Sequence, residues 1–388
     1  MHSAAILLEL GAVILGLAIL ARTAGRFGIP SIPFYLLAGL AFGKGGILPL
    51  VTTAEFIGIG AELGLILLLF MLGLEYSARE LVTTLRTETP VGGIDVLLNF
   101  VPGLAAGFLL GWGLVASILL GGISYVSSSG IVAKLLQAVP ADRPERPLIL
   151  SVLVIEDLVM ALFLPVVAAL LIGGTDLSGL ISAVVAVLGV GVVLLIATRV
   201  DVGLSRIVFS RSDEALLLTL LGLTLVVAGL AEAIQVSAAV GALLVGIVLA
   251  GPAAKSAQAL LSPLRDLFAA LFFGFFGLTV DPSAIGPVLL PAFVIALVTA
   301  GTKLLTGHLG ARRAGLGSDA GLRIGTTLMA RGEFSIALAG LGVAAGLEPQ
   351  LAPLAAAYVL LLAVTGPIAA RLTEVYTHKK TRSVLQPG

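Results

Sequence analysis

The sequence predicts an all-α polytopic membrane protein of about 13 transmembrane helices, arranged as inverted repeats of six helices with two crossed, discontinuous helices. Three observations predict it. The 388 residues are 59% hydrophobic and 11% charged, with a mean hydropathy of +1.15, whereas soluble domains carry about 25% charged residues. Apolar runs of bilayer length follow one another along the whole chain, with basic residues after every second run. Two of the runs, in opposite halves, are interrupted near their middle by glycine and polar residues.

At about 20 residues per crossing, the spans fall near 4–21, 31–47, 55–75, 91–110, 113–137, 148–173, 179–197, 214–233, 237–251, 265–280, 286–309, 320–345 and 350–371. The first carries no basic leader or small-residue cleavage site, so it reads as a retained span. Arg22 and Arg26 follow the first span, Arg79 and Arg86 the third, Arg143 and Arg146 the fifth, and Arg199, Arg206 and Arg211 the seventh. Lys255 and Arg265 follow the ninth, Arg312, Arg313 and Arg323 the eleventh, and Arg371, Lys379, Lys380 and Arg382 the last. Only Lys44 falls on the opposite side. Positive charge favours the cytoplasm, which places the N-terminus outside and the C-terminus inside, in the cell (inner) membrane. A wrong span count would scramble this alternation.

The fifth span holds Gly121-Gly122 and Ser127-Ser128-Ser129-Gly130; the twelfth holds Arg331-Gly332-Glu333. Interrupted helices at corresponding places in two halves point to an inverted-repeat transporter with its site at the breaks. Spans 1–6 and 8–13 are then the repeats, and span 7, near 179–197, joins them. Arg331 is expected to end one half-helix and Glu333 to begin the next, since a cation suits a helix C-terminus and an anion an N-terminus. The serines of span five can satisfy backbone groups freed by its break.

Glu156-Asp157 stands inside the apolar run from Leu148 to Gly173. An ionised group near the bilayer centre costs roughly 2.5–3.5 kcal/mol or more, which makes an intramembrane pair of carboxylates a functional-site hypothesis. Lys303 lies mid-way along span eleven among Thr299, Thr302 and Thr306, and needs a buried partner, Glu156 or Asp157. Neighbouring positions on a helix point about 100° apart, so the two acids are assigned different roles: Asp157 faces the ion cavity and Glu156 pairs with Lys303. Burial and a nearby cation act on a carboxylate in opposite directions, and a site between them can bind a proton or a cation, each excluding the other. Lys134 can snorkel to the cytoplasmic surface. Glu62, Asn99 and Glu232 are candidates for a funnel toward the site.

Other chemistry is poorly supported. The chain has no cysteine, only three histidines (His2, His308 and His378) and a net charge of zero, so neither a thiolate metal centre nor a nucleic-acid partner is expected. Gly58-Ile59-Gly60 lies inside a helix and lacks the context of a phosphate loop. No carbonyl-lined selectivity filter of the Thr-Val-Gly-Tyr-Gly type is present, which disfavours a channel, and an acidic pair disfavours an organic-anion symporter. No Ser/His nucleophile arrangement suggests an enzyme.

These residues resemble a known family. Gly28-Ile29-Pro30 with Tyr35-Leu36-Leu37-Ala38-Gly39, Glu62-Leu63-Gly64 with Leu69-Phe70-Met71-Leu72-Gly73-Leu74-Glu75, Ser127-Ser128-Ser129-Gly130-Ile131 and Glu156-Asp157-Leu158 are similar to its first half. Ser237-Ala238-Ala239-Val240-Gly241-Ala242, Phe272-Phe273-Gly274-Phe275-Phe276-Gly277-Leu278 and Gly332-Glu333-Phe334 are similar to its second. The family is the membrane domain of Kef-type monovalent cation:proton antiporters, in the cation:proton antiporter-2 group. The resemblance implies a sodium/proton-antiporter-like fold over residues 1–376, with ion-carrying core helices at 91–173 and 286–371. It further implies a dimerisation scaffold at 4–75 and 214–280, a linker at 179–197 and a basic cytoplasmic tail at 377–388.

By the same resemblance, Asp157 binds the transported K+ or Na+, Glu156 pairs with Lys303, and the core moves like an elevator against a homodimeric scaffold. Arg331 and Glu333 compensate charge at the crossover. No cofactor is implied beyond the transported ions. K+ is favoured because the resemblance is to Kef-type proteins. An electrogenic Na+/H+ antiporter is the alternative, because Glu156 stands where family members carry Gln, Asn or Asp. The chain ends at Gly388 without the nucleotide-binding domain common in Kef-type proteins, so a regulator is expected either as a separate cytoplasmic subunit or on a segment removed from this chain.

Overall fold

The computed structural model describes residues 2–27, 31–43, 54–74, 78–137, 142–173, 212–233, 238–250 and 254–385, with a few isolated positions besides. The expected linker span near 179–197 lies outside the described residues except at isolated positions.

Every other expected span holds a helix. The first half contains α1 (His2–Phe27), α2 (Ile32–Phe42), α3 (Ala54–Gly73), α4 (Ala78–Leu109), α5 (Leu114–Tyr125), α6 (Ser129–Gln137) and α7 (Arg146–Gly173). The second contains α8 (Asp213–Ala233), α9 (Ala238–Leu249), α10 (Ala254–Thr279), α11 (Ile285–Arg313), α12 (Ser318–Thr327), α13 (Glu333–Ala344) and α14 (Leu351–Leu385). Among the described residues there is no strand. Seven of the described segments are long and apolar enough to cross a membrane by themselves, and shorter apolar helices accompany them. A helical scaffold is what a bilayer demands, because each backbone N–H and C=O must be satisfied within the protein.

Three helices overrun their expected limits by more than two turns. α4 begins at Ala78 rather than near 91, α10 at Ala254 rather than near 265, and α14 continues to Leu385 through most of the expected tail. The added residues are rich in Arg, Lys, Glu, Ala and Leu, all strong helix formers. Polarity marks where the membrane ends, and the helix runs on past it.

The helices sort by packing into two groups. α4 packs on α5, α7 and α11, while α11 packs on α12 and α14. Separately, α3 packs on α9 and α10, α2 on α10, and α8 on α9. The second group is drawn together by glycines. A Cβ added at Gly39 would overlap the backbone of Gly274 and Gly277, and one at Gly73 would overlap that of Leu243 and Gly246. Such close approach of backbones substitutes for the hydrophobic drive that helices in lipid lack. Exchanging the two repeats maps the α2–α10 contact onto the α9–α3 contact, so the glycine pairs obey the same two-fold relation as the broken helices.

On the first group, ion pairs tie the residues just before α7 to α12 and α14. Buried Glu145 accepts from Arg323 of α12 and lies 3.5 Å from Arg143, which also pairs with Glu374 of α14. Arg146 donates to the carbonyls of Leu136 and Val139 at 2.9 and 3.2 Å, capping the C-terminal end of α6.

Candidate functional site

Two expected spans are broken. α5 stops at Tyr125, residues 126–128 are non-helical with Val126 extended, and α6 restarts at Ser129. α12 stops at Thr327 and α13 starts at Glu333. The two connectors touch: the Ser128 amide donates to the Ala330 carbonyl at 2.8 Å, and the Ser127 hydroxyl to the Leu328 carbonyl at 2.7 Å. Four helix termini therefore meet inside the protein, two of each polarity.

One charge answers each polarity. Glu333 occupies the first position of α13 and accepts from Ser128 Oγ (2.7 Å), Ser129 Oγ (2.8 Å) and the Gly130 amide (3.1 Å) at the start of α6. Its carboxylate thus faces the positive ends of both half-helices. Arg331 does the converse. Its guanidinium donates to the Ser124 carbonyl at the end of α5 (3.1 Å) and to those of Leu328 and Met329 just past α12 (3.1 and 3.0 Å). It also reaches the Tyr358 hydroxyl at 3.1 Å. Arg331 was expected to end α12; it stands instead in the connector, beyond the cap at Leu328. From there one fork of donors reaches both negative helix ends, which a side chain within the helix would not.

Gly332 sits where the connectors press together, and a Cβ there would overlap the Ser128 side chain that holds Glu333. Gly332→Ala should therefore lower stability by about 1–3 kcal/mol, the usual cost of overpacking. The measurement is the thermal unfolding midpoint of purified protein; an unchanged midpoint would show that the crossing has room to spare.

Beside this crossing lies a fully buried cluster of charge. The Lys303 ammonium donates to both carboxylate oxygens of Asp95 at 2.8 Å and to Glu156. Glu156 also accepts from the Ser127 amide (2.7 Å) and hydroxyl (3.0 Å). Asn99 donates to Asp95 Oδ1 at 2.9 Å and accepts from Thr302 at 2.8 Å. The Tyr125 ring covers the ammonium, with its centroid 5.6 Å away. Asp157, 6% exposed, is the next residue on α7 and so points to a different side of that helix from Glu156.

Asp95 was not among the residues singled out from the sequence, although the signal was there. It is an aspartate inside an apolar span, one turn before Asn99, and the two share a helix face. Asn99, named for a funnel, is buried as a bracket between Asp95 and α11. Glu62 and Glu232 are exposed on α3 and α8, close enough to act on each other electrostatically. Lys134 is exposed.

Three carboxylates around one ammonium leave two negative charges in excess when all are ionised. Buried charge without compensation is strongly unfavourable, so the cluster is built to take up positive charge. This is chemistry for holding protons or cations.

The sequence profile described as sodium/hydrogen exchanger, transmembrane, matches residues 12–373. The chain belongs to this family. It is therefore a multi-pass membrane transporter of the cation/proton exchange class and not an enzyme. The K(+)/H(+) antiporter subunit KhtU of Bacillus subtilis is 35% identical over 370 residues, covering 93% of this chain and 91% of the relative. The ammonium/H(+) antiporter subunit AmhT of Alkalihalophilus pseudofirmus is 33% identical, covering 86% of each. Among solved structures, the sodium proton antiporter MjNhaP1 of Methanocaldococcus jannaschii superposes with a TM-score of 0.72 at 19% identity, over 95% of this chain and 100% of that one. At that identity the likeness shows the fold alone. The exchanger's broken helices are thus those of a sodium/proton-antiporter-like fold.

Proposed function

We propose that this exchanger is a secondary antiporter moving a monovalent cation, K+ in preference to Na+, against protons across the cell membrane. The observation that carries the reading is the buried cluster of Asp95, Glu156, Asp157 and Lys303 at the crossing of two broken helices. Asp157 binds the cation or the proton, and one excludes the other. Glu156 shares the charge of Lys303, and Arg331 and Glu333 neutralise the half-helix ends so that the site stays assembled. The group α4–α7 and α11–α14 is the moving body; the glycine-packed group is the scaffold on which it slides and through which a second copy docks. The N-terminus lies outside and the C-terminus in the cytoplasm. The preference for K+ is supported by the likeness to the KhtU protein. That KhtU and AmhT are both named as subunits supports a separate regulatory subunit on the cytoplasmic side.

The test is exchange in proteoliposomes that enclose a pH dye, with pulses of K+, Na+ or ammonium. K+ is expected to drive proton movement at about a tenth of the Na+ concentration, a difference of about 1.4 kcal/mol in binding. Half-maximal movement at equal or lower Na+ would favour the sodium antiporter instead. Cation flux without proton movement would make the protein a channel.

A further inference from the structure

We propose that Asp95 is a positioning residue that takes over Lys303 when the transported cation enters. The inference rests on the transport reading above and adds to it the event that makes room for the ion.

An ammonium has three N–H donors, and Lys303 commits them to Asp95 Oδ1, Asp95 Oδ2 and Glu156 Oε1. A cation arriving beside Glu156 and Asp157 meets a positive charge already there, and two like charges at such range in a dry interior repel strongly. Lys303 must yield on the Glu156 side without being stranded. Asp95 provides for this, because its contact is two-pronged and survives the loss of the third bond.

The rest of the cluster is built asymmetrically, in a way that suits the hand-over. Glu156 has substitute donors in the Ser127 amide and hydroxyl, so it stays satisfied when Lys303 withdraws. Asp95 is pinned by Asn99, and Asn99 by Thr302 on the same helix as Lys303. The station is therefore fixed to the helix that carries the lysine. The groups against the ammonium are Asp95 on α4, the Tyr125 ring on α5 and Glu156 on α7; Asp157 and Arg331 act electrostatically on Tyr125, and Tyr358 on α14 accepts from Arg331. Of the acids, Asp95 and Glu156 bind Lys303 directly, and Asp95 does so with both oxygens.

Without Asp95, the ammonium has only Glu156 to hold, and it competes with the cation for that carboxylate. Asp95→Asn should raise the KM for K+ in proteoliposome exchange by about tenfold, within the range of typical coupling between two binding events. kcat at saturating K+ should change little. The paired variant Asp95→Asn with Lys303→Gln removes the competitor and the uncompensated charge together, and should bring KM back toward the wild-type value. A fall in kcat with KM unchanged, or a paired variant whose KM stays as high as that of Asp95→Asn, would overturn the hand-over and leave the antiport reading standing. If Asp95→Asn does not fold, a paired variant with KM well above wild type overturns it and one near wild type supports it. Absence of K+-driven proton movement in the wild type would overturn the antiport reading and this inference with it.

Discussion

Asp157→Asn is expected to abolish K+-driven proton movement in proteoliposomes while the protein still folds, inserts and purifies as the wild type does. The amide keeps the shape of the carboxylate but cannot ionise, so it neither releases a proton nor balances a cation. Stability should stay within about 1 kcal/mol of wild type, because the change removes a charge from a buried position rather than opening a cavity. The neighbouring Glu156 does not substitute for it. Its oxygens are occupied by Lys303 and Ser127, and its direction on α7 differs by about 100°. Exchange retained at a substantial fraction of the wild-type rate would move the ion site elsewhere in the cluster, with Asp95 and Glu156 the next groups to test.

Arg331→Met is expected to have the largest effect on stability, a loss of about 3–5 kcal/mol, comparable to breaking a buried ion pair. Arg331 is wholly buried. Its removal takes a charged donor from the carbonyls of Ser124, Leu328 and Met329; Leu328 keeps the Ser127 hydroxyl and Ser124 the Tyr358 hydroxyl, whereas Met329 loses its side-chain donor, and an unsatisfied buried group costs about 1–3 kcal/mol. It also exposes two negative helix ends to one another. Arg331→Lys should rescue only partly, because a point-like ammonium cannot reproduce the fork that spans both ends. The check is thermal unfolding in detergent. An Arg331→Met protein as stable as wild type would mean that the crossing is held by the backbone and serine bonds alone.

Much of this architecture was legible because the bilayer restricts the alternatives so severely. Hydropathy located the described helices. Glycine and polar residues in two apolar runs marked the breaks, and Glu333 fell where helix polarity required an acid. Helix ends were less legible at α4, α10 and α14, since composition reports the edge of the hydrocarbon and says little about where a helix continues beyond it. Arg331 lies a few residues beyond the end of α12 because helix polarity at one end calls for a cation there, while the fold brings two such ends together. Asp95 was missed for a related reason: its partner is on α11, far away in sequence, and a single acid near the start of a span reads as an interfacial residue. The pairing of Glu156 with Lys303 was anticipated because a buried lysine needs an acid; that the lysine would find two was a matter of tertiary packing.

The central claim is that one carboxylate carries either a proton or a cation, and it can be read without a membrane. Purified protein in weakly buffered detergent solution should release protons when K+ is added, and Asp157→Asn should release none. K+ binding without proton release by the wild type, or undiminished release by Asp157→Asn, would contradict it.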